Sequence, residues 1–142
     1  FSIDMHGPQS QAWVTDLLND YDDHDAGWAW WQWRESSGYG VRNADGSSVD
    51  MSTLHMLARP FVQAAPSGVA GGRGDGVYGA LTISIAAQHA GAPIVVSWPG
   101  YTLGAPVLRS SCAAASVWDA SSARLTITVP AAGSCSLQLS AA

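Results

Sequence analysis

The sequence predicts an α/β segment over residues 1–65 followed by an antiparallel β-sandwich over residues 66–142, two structural units in one chain of 142 residues. Three observations carry this. The apolar residues of the first half alternate between short strand-like runs and helical spacing. The second half carries brief period-two runs separated by turn residues, the pattern of an all-β sandwich. Charge shifts at the same place: residues 1–65 hold eight Asp and Glu35 against three Arg, and residues 66–142 hold two Asp against three Arg.

In order, Phe1 to Met5 reads as the end of a strand. From Pro8 to Tyr21, residues Ala12, Trp13, Leu17, Leu18 and Tyr21 fall close to helical spacing, with Ser10 as candidate N-cap. Asp20, Asp22, Asp23 and Asp25 crowd the far end, where acids oppose the helix dipole and end the helix. Gly27 to Arg34, GWAWWQWR, is short, dense in aromatic residues and bounded by Gly27 and by Ser36, Ser37 and Gly38, which predicts a buried strand. Asp45-Gly46 marks a turn. From Asp50 to Arg59 the residues Met51, Leu54, Leu57 and Ala58 fit a helix capped by Asp50 and stopped by Pro60.

Pro66 to Gly79 is rich in Gly and reads as a linker or long loop. After it, Leu81, Ile83 and Ile85 alternate with Thr82 and Ser84, and Leu125, Ile127 and Val129 alternate with Thr126 and Thr128. Ile94–Trp98, Val107–Ser110, Val117–Asp119 and Cys135–Leu139 are further short strands. Cys112 and Cys135 are the only cysteines, each bordering a strand-like run. The pair predicts one disulfide and an oxidising, secreted or extracellular setting, stabilising by about 3 kcal/mol on the chain-entropy model; the alternative is two buried thiols.

The chain has a net charge of −5, no Lys and no basic stripe, which argues against nucleic acid or an anionic membrane as the main partner. No stretch approaches the length of a membrane-spanning helix, so no integral membrane segment is expected. The chain opens at Phe1 without a signal-peptide pattern, as a mature or processed product would. No cofactor or metal is expected: His6, His24, His55 and His89 lack metal-site spacing, and Asp20-x-Asp22-Asp23-x-Asp25 lacks the glycine and the bidentate Glu of a calcium loop. Arg73-Gly74-Asp75, an integrin-type tripeptide, is read as incidental, and the glycines from Gly71 to Gly76 precede a strand rather than the helix a phosphate cradle needs.

The aromatic run is the candidate site. In a strand, Ala29, Trp31, Trp33 and Glu35 point one way and Trp28, Trp30 and Gln32 the other. Indole faces pack on sugar rings and a carboxylate accepts hydroxyl hydrogen bonds, so Trp31, Trp33 and Glu35 form a candidate pyranose-binding face, and Trp28 and Trp30 are assigned to the core. His6 follows the first strand-like run and is a further candidate for lining the site; a plain loop residue is the alternative.

The run GWAWWQWRE, followed by GYGVRNADGS, a helix ending LARPF and a β-rich tail, resembles the eighth strand, loop and helix of glycoside hydrolase family 5. The endoglycoceramidase-like members, which carry a C-terminal β-sandwich, are the nearest likeness. The resemblance implies that residues 1–65 are the last strand-helix units of a (β/α)8 TIM barrel and residues 66–142 the β-sandwich domain. In that family a Glu at the end of the seventh strand, followed by an aromatic residue, is the nucleophile; Phe1 fits the residue after it, so the nucleophile is expected immediately before Phe1. The acid/base Glu would lie earlier, on the fourth strand, and Trp31 matches the strand-eight Trp that floors the sugar subsite. Glu35 is the only Glu of the chain, and a retaining mechanism needs two carboxyl groups about 5 Å apart, so no catalytic residue is expected among these residues.

Two functions follow. The first is the C-terminal portion of a secreted retaining β-glycosidase of carbohydrate metabolism, hydrolysing the glycan-lipid linkage of glycosphingolipids or a related β-glycoside, with the N-terminal barrel segment of the same enzyme as its partner. The second is a non-catalytic secreted carbohydrate-binding module with the Trp run as platform. The strand-helix-strand-helix order of residues 1–65 favours the first, because a free-standing binding module has no need of it.

Overall fold

The computed structural model describes residues 1, 3–24, 26–35, 39–43, 45–86, 93–129 and 133–142. The chain divides into two compact units, Phe1–Ala58 and Arg59–Ala142. His89, Asp25 and the 36–38 loop lie outside the described residues.

The first unit holds two helices, α1 (Ser10–Asp23) and α2 (Met51–Leu57). In α1 the buried positions Ser10, Val14 and Leu18 recur every four residues, one face of a 3.6-residue period. Gln9, not Ser10, is the N-cap; Ser10 lies inside the helix and its hydroxyl donates to the Asp4 carbonyl. The helix runs on through Asp22 and Asp23, and the His24 backbone N–H closes its end on the Asp20 carbonyl. Asp50 caps α2 by accepting from the backbone N–H groups of Ser52 and Thr53, as the sequence predicts. Met5, Val14, Leu18, Val41, Met56 and Leu57 form the small core of this unit.

The run from Gly27 to Arg34 is extended, but it is not the buried strand expected of it. Among the described residues no named strand pairs with it, and a strand exists only through its ladder. Phe1 makes one step of pairing with it: its nitrogen donates to the Ala29 carbonyl at 2.9 Å and its carbonyl accepts from the Trp31 N–H at 3.0 Å. Bonds that bracket Trp30 from a single residue are the pattern of parallel pairing. A parallel bridge between Arg34 and Arg42 continues the unit, and Arg42 also bridges Val49.

The second unit is an antiparallel sandwich of two four-stranded sheets. The strands are β1 (Phe61–Ala64), β2 (Val69–Gly71), β3 (Ala80–Ile85), β4 (Pro93–Ser97), β5 (Pro106–Ser110), β6 (Ala115–Asp119), β7 (Arg124–Thr128) and β8 (Cys135–Ala141), with a short α3 (Gly100–Leu103) between β4 and β5. One sheet is ordered β1-β4-β7-β6 and the other β2-β3-β8-β5. Register brings Ile83 opposite Leu137 and Ile94 opposite Ile127, so the inward face of every central strand is apolar. Leu81, Ile83, Leu137 and Leu139 of one sheet meet Ile94, Val96, Leu125 and Ile127 of the other around the buried Trp98. Cys112 and Cys135 form the expected disulfide, tying the second residue beyond β5 to the start of β8.

The unit begins earlier than the expected division between Ala65 and Pro66, because β1 pairs with β4. The stretch Pro66–Gly79 is not a plain linker. It contains β2, and Gly74 lies so close to the Pro60 carbonyl that a Cβ there would stand 1.9 Å from its oxygen. Arg59 Nε donates to the Gly74 carbonyl across the same contact.

Candidate functional site

The site is built on the aromatic run of the first unit. Phe1 is its hub: its ring meets those of Trp30 at 5.2 Å, Tyr21 at 5.8 Å, Trp28 at 6.1 Å and Trp13 at 6.2 Å, with the Trp30 and Trp13 contacts edge-on. Edge-on rings match the positive rim of one aromatic to the negative face of the next. Trp30 packs against the unit's core, and its indole N–H donates to the Tyr39 carbonyl at 2.8 Å, so its one polar atom is satisfied. Trp30 is thus where the sequence places it, whereas Trp28 stays 37% exposed and stands at the rim.

Trp28, Trp30 and Trp33, with Val41 and with Leu54, Leu57 and Ala58 of α2 and its end, line a pocket of about 250 Å3. Every lining residue is apolar or aromatic. The pocket can hold an apolar group and offers little to a sugar hydroxyl. Trp33 therefore groups with Trp28 and Trp30, not with Trp31 as strict alternation requires. Trp31 is outside the pocket and 71% exposed, a free indole surface, and Trp33 is 56% exposed while lining the pocket.

The segment after the run is fixed by its backbone. Glu35 N–H donates to the Arg42 carbonyl and Arg42 N–H to the Trp33 carbonyl, each at 2.8 Å. Glu35 is half-buried at this bridge. In the turn beyond, Asp45 accepts from Ser47, and hydrogen bonds from Ser47, with the Arg34 charge adding less, hold its carboxyl below the usual range.

His6 is exposed and stands between two carboxylates, with Nδ1 3.8 Å from Asp4 and Nε2 3.8 Å from Asp50. That places it at the N-terminal end of α2, whereas the pocket lies against the other half of the helix. Burial pushes the Asp50 carboxyl up, but hydrogen bonds from Ser52 and Thr53 together outweigh it and hold the group below its ordinary value. Among the described residues no group of three or more His, Cys, Asp or Glu side chains is arranged to hold a metal ion. Nor is any helix long and apolar enough to cross a membrane.

Sequence reasoning located the aromatic run but missed the pocket and the part that Val41, Leu54 and Ala58 play in it. The helical spacing of Leu54, Leu57 and Ala58 was the available signal, since one apolar helix face must cover something.

The fold is one that an endo-glycoceramidase shares over part of its chain. No family model and no curated protein sequence matches the chain. Among solved structures, the chain is similar over 100% of its length to endo-glycoceramidase II from Rhodococcus sp. In the five-membered iminocyclitol complex of that enzyme the TM-score is 0.69 at 18% identity. In the cellobiose-like imidazole complex the values are 0.70 and 18%, and in the ganglioside GM3 complex 0.67 and 17%. The chain spans only 31–32% of those chains, about a third of their length, and at this identity the likeness is one of fold.

Proposed function

We propose that the chain is the C-terminal part of a secreted retaining β-glycosidase of glycoside hydrolase family 5. In this reading the enzyme cleaves the bond between glycan and lipid in glycosphingolipids, or a related β-glycoside. The observation that carries the reading is the likeness of the whole chain to one third of an endo-glycoceramidase. The parallel step between Phe1 and the aromatic run supports it, because adjacent parallel strands are what a (β/α)8 barrel requires. The open apolar pocket supports it too, as a contact surface for the remaining barrel elements of the same enzyme.

In a retaining mechanism one carboxylate attacks the anomeric carbon while the other protonates the leaving oxygen; the second then takes a proton from a water that hydrolyses the glycosyl-enzyme, freeing the sugar and the first carboxylate. Both carboxylates are proposed to come from residues outside these 142, with the nucleophile next to Phe1. Trp31, with its indole free, would be the wall on which the reacting sugar stacks. Trp33, Glu35 and His6 are weaker candidates, since Trp33 lines the apolar pocket, Glu35 is held at the Arg42 bridge and His6 lies at the other end of α2.

The test is to incubate the full-length protein that carries this chain with GM3 or lactosylceramide and to follow the products. Free oligosaccharide of retained anomeric configuration, together with ceramide, is the expected result. No release would refute the glycosphingolipid reading, and release with inversion would refute the retaining mechanism.

A further inference from the structure

Tyr78 and Tyr101 are the most exposed large hydrophobic side chains among the described residues, at 81% and 83%. They belong to two neighbouring segments of the sandwich, the turn between β2 and β3 and the short α3. A Cβ on Gly79, the residue after Tyr78, would lie 3.1 Å from a Leu103 methyl, and Leu103 is two residues beyond Tyr101. Both segments are held firmly. The Asp75 carboxylate accepts from the backbone N–H groups of Val77 and Tyr78 at 2.8 Å each, Ala141 N–H donates to the Gly79 carbonyl at 2.9 Å, and Gly79 adopts a φ of +65° that favours glycine. In α3 the Thr102 hydroxyl donates to the Pro99 carbonyl, and the indole N–H of buried Trp98 donates to the Gly104 carbonyl.

The chemistry of this end is narrow. GVYGA at 76–80 and PGYTLGAP at 99–106 contain no charged residue, and Val77 beside Tyr78 is itself exposed. The carboxylate of Asp75 is already occupied by backbone donors, and that pairing takes the place of any integrin-type role for the tripeptide it ends. Two rigidly presented rings with polar tips, set in an uncharged and partly apolar surface, match the boundary between water and lipid: the ring enters the upper acyl region and the hydroxyl stays among headgroups. A net charge of −5 without Lys gives no attraction to anionic headgroups, and residues 76–80 and 99–106 hold no charge that must be desolvated at uncharged ones; Arg73 and Asp75, earlier in the same turn as Tyr78, stand outside these stretches.

We infer that this end of the sandwich docks on a lipid surface of uncharged headgroups, with Tyr78 and Tyr101 as the interfacial anchors. The inference deepens the reading of the protein as a glycolipid hydrolase, since it supplies a way for the enzyme to work at the surface that holds its substrate.

The experiment compares the full-length protein with its Tyr78→Ser, Tyr101→Ser double variant in sedimentation with phosphatidylcholine vesicles. The variant is expected to bind at least fivefold more weakly, and a Tyr78→Trp, Tyr101→Trp variant to bind at least as well as the parent. Turnover of a water-soluble aryl β-glycoside should be unchanged in both, while hydrolysis of vesicle-embedded glycolipid falls with vesicle binding in the Ser variant. Equal vesicle binding by parent and Ser variant would overturn the inference. So would retention only by vesicles that carry glycolipid, which would make the tyrosines a glycan-binding surface. Tyrosine-dependent vesicle binding without glycoside turnover would support the docking surface and count against the hydrolase reading alone.

Discussion

The two units reach a core by different routes. In the sandwich each central strand buries one face completely: Ile83, Ile94, Ile127 and Leu137 are all inaccessible to solvent, and both sheets contribute to one closed cluster. Among the described residues the first unit closes a core of six buried apolar side chains and leaves Trp28, Trp31 and Trp33 at its surface, with a pocket of about 250 Å3 lined by Trp28 and Trp33. A sheet that pairs all its central strands is self-sufficient, whereas an aromatic run held by two isolated parallel steps, at Phe1 and at Arg42, keeps exposed indoles. On the reading proposed above, that surface is where further barrel elements pack.

The largest expected effect separates the units outright. Expressed alone, Arg59–Ala142 should unfold in one cooperative transition, and Phe1–Ala58 should show none, because a core so small cannot offset the conformational entropy of ordering the segment. Thermal melts followed by near-UV circular dichroism decide this. A sharp transition for Phe1–Ala58 alone would erase the contrast.

Next in size is the disulfide. It spans 23 residues of sequence, so a Cys112→Ser, Cys135→Ser variant should lose about 3 kcal/mol of sandwich stability in denaturant titration. An unchanged midpoint would mean that the two sheets alone define the unit's stability.

A smaller effect belongs to the first unit. Asp50→Ala removes the acceptor for two α2 backbone N–H groups and should cost about 1 kcal/mol. Acid should act the same way. The folded Asp50 carboxyl is depressed, so its contribution is fully present above the unfolded value near ~3.9 and is lost as pH falls through the folded one. In the sandwich, hydrogen bonds from Ser121 and Ser122 hold Asp119 at about 2, and its contribution should fade between pH ~3.9 and that value. Carboxyl titration by NMR reads both groups, and an Asp119 midpoint at the ordinary value would contradict the hydrogen-bonded turn.

What could be read from the sequence follows the same contrast. Period-two alternation located β3 and β7, short strand-like runs located β4, β5, β6 and β8, and the Asp50 cap and Pro60 stop located α2. The strands β1 and β2 were missed: β1 exposes Phe61, Gln63 and Ala64, and β2 is three residues long inside a Gly-rich stretch, so neither carries an alternating apolar face. The tryptophan run was found by composition, but its pairing depends on residues far away in sequence. Its alternation also failed at Trp33, which lines the pocket with Trp28 and Trp30. His6 was placed by order along the chain, and only the folded backbone set it at the capped end of α2.

On the glycosidase reading proposed above, the most direct measurement replaces Trp31 and Trp30 separately by Ala in the full-length protein. Trp31 is exposed and free to stack on a sugar, so Trp31→Ala should lower kcat/KM by roughly two to three decades, about 2–4 kcal/mol of transition-state binding, with little change in Tm. Trp30 packs in the core and binds the Tyr39 carbonyl, so Trp30→Ala should cost about 3–5 kcal/mol of stability and reduce activity mainly through the amount of folded protein. A Trp31→Ala enzyme with normal kcat/KM, or one that merely unfolds as Trp30→Ala does, would contradict the assignment of Trp31 to the substrate site.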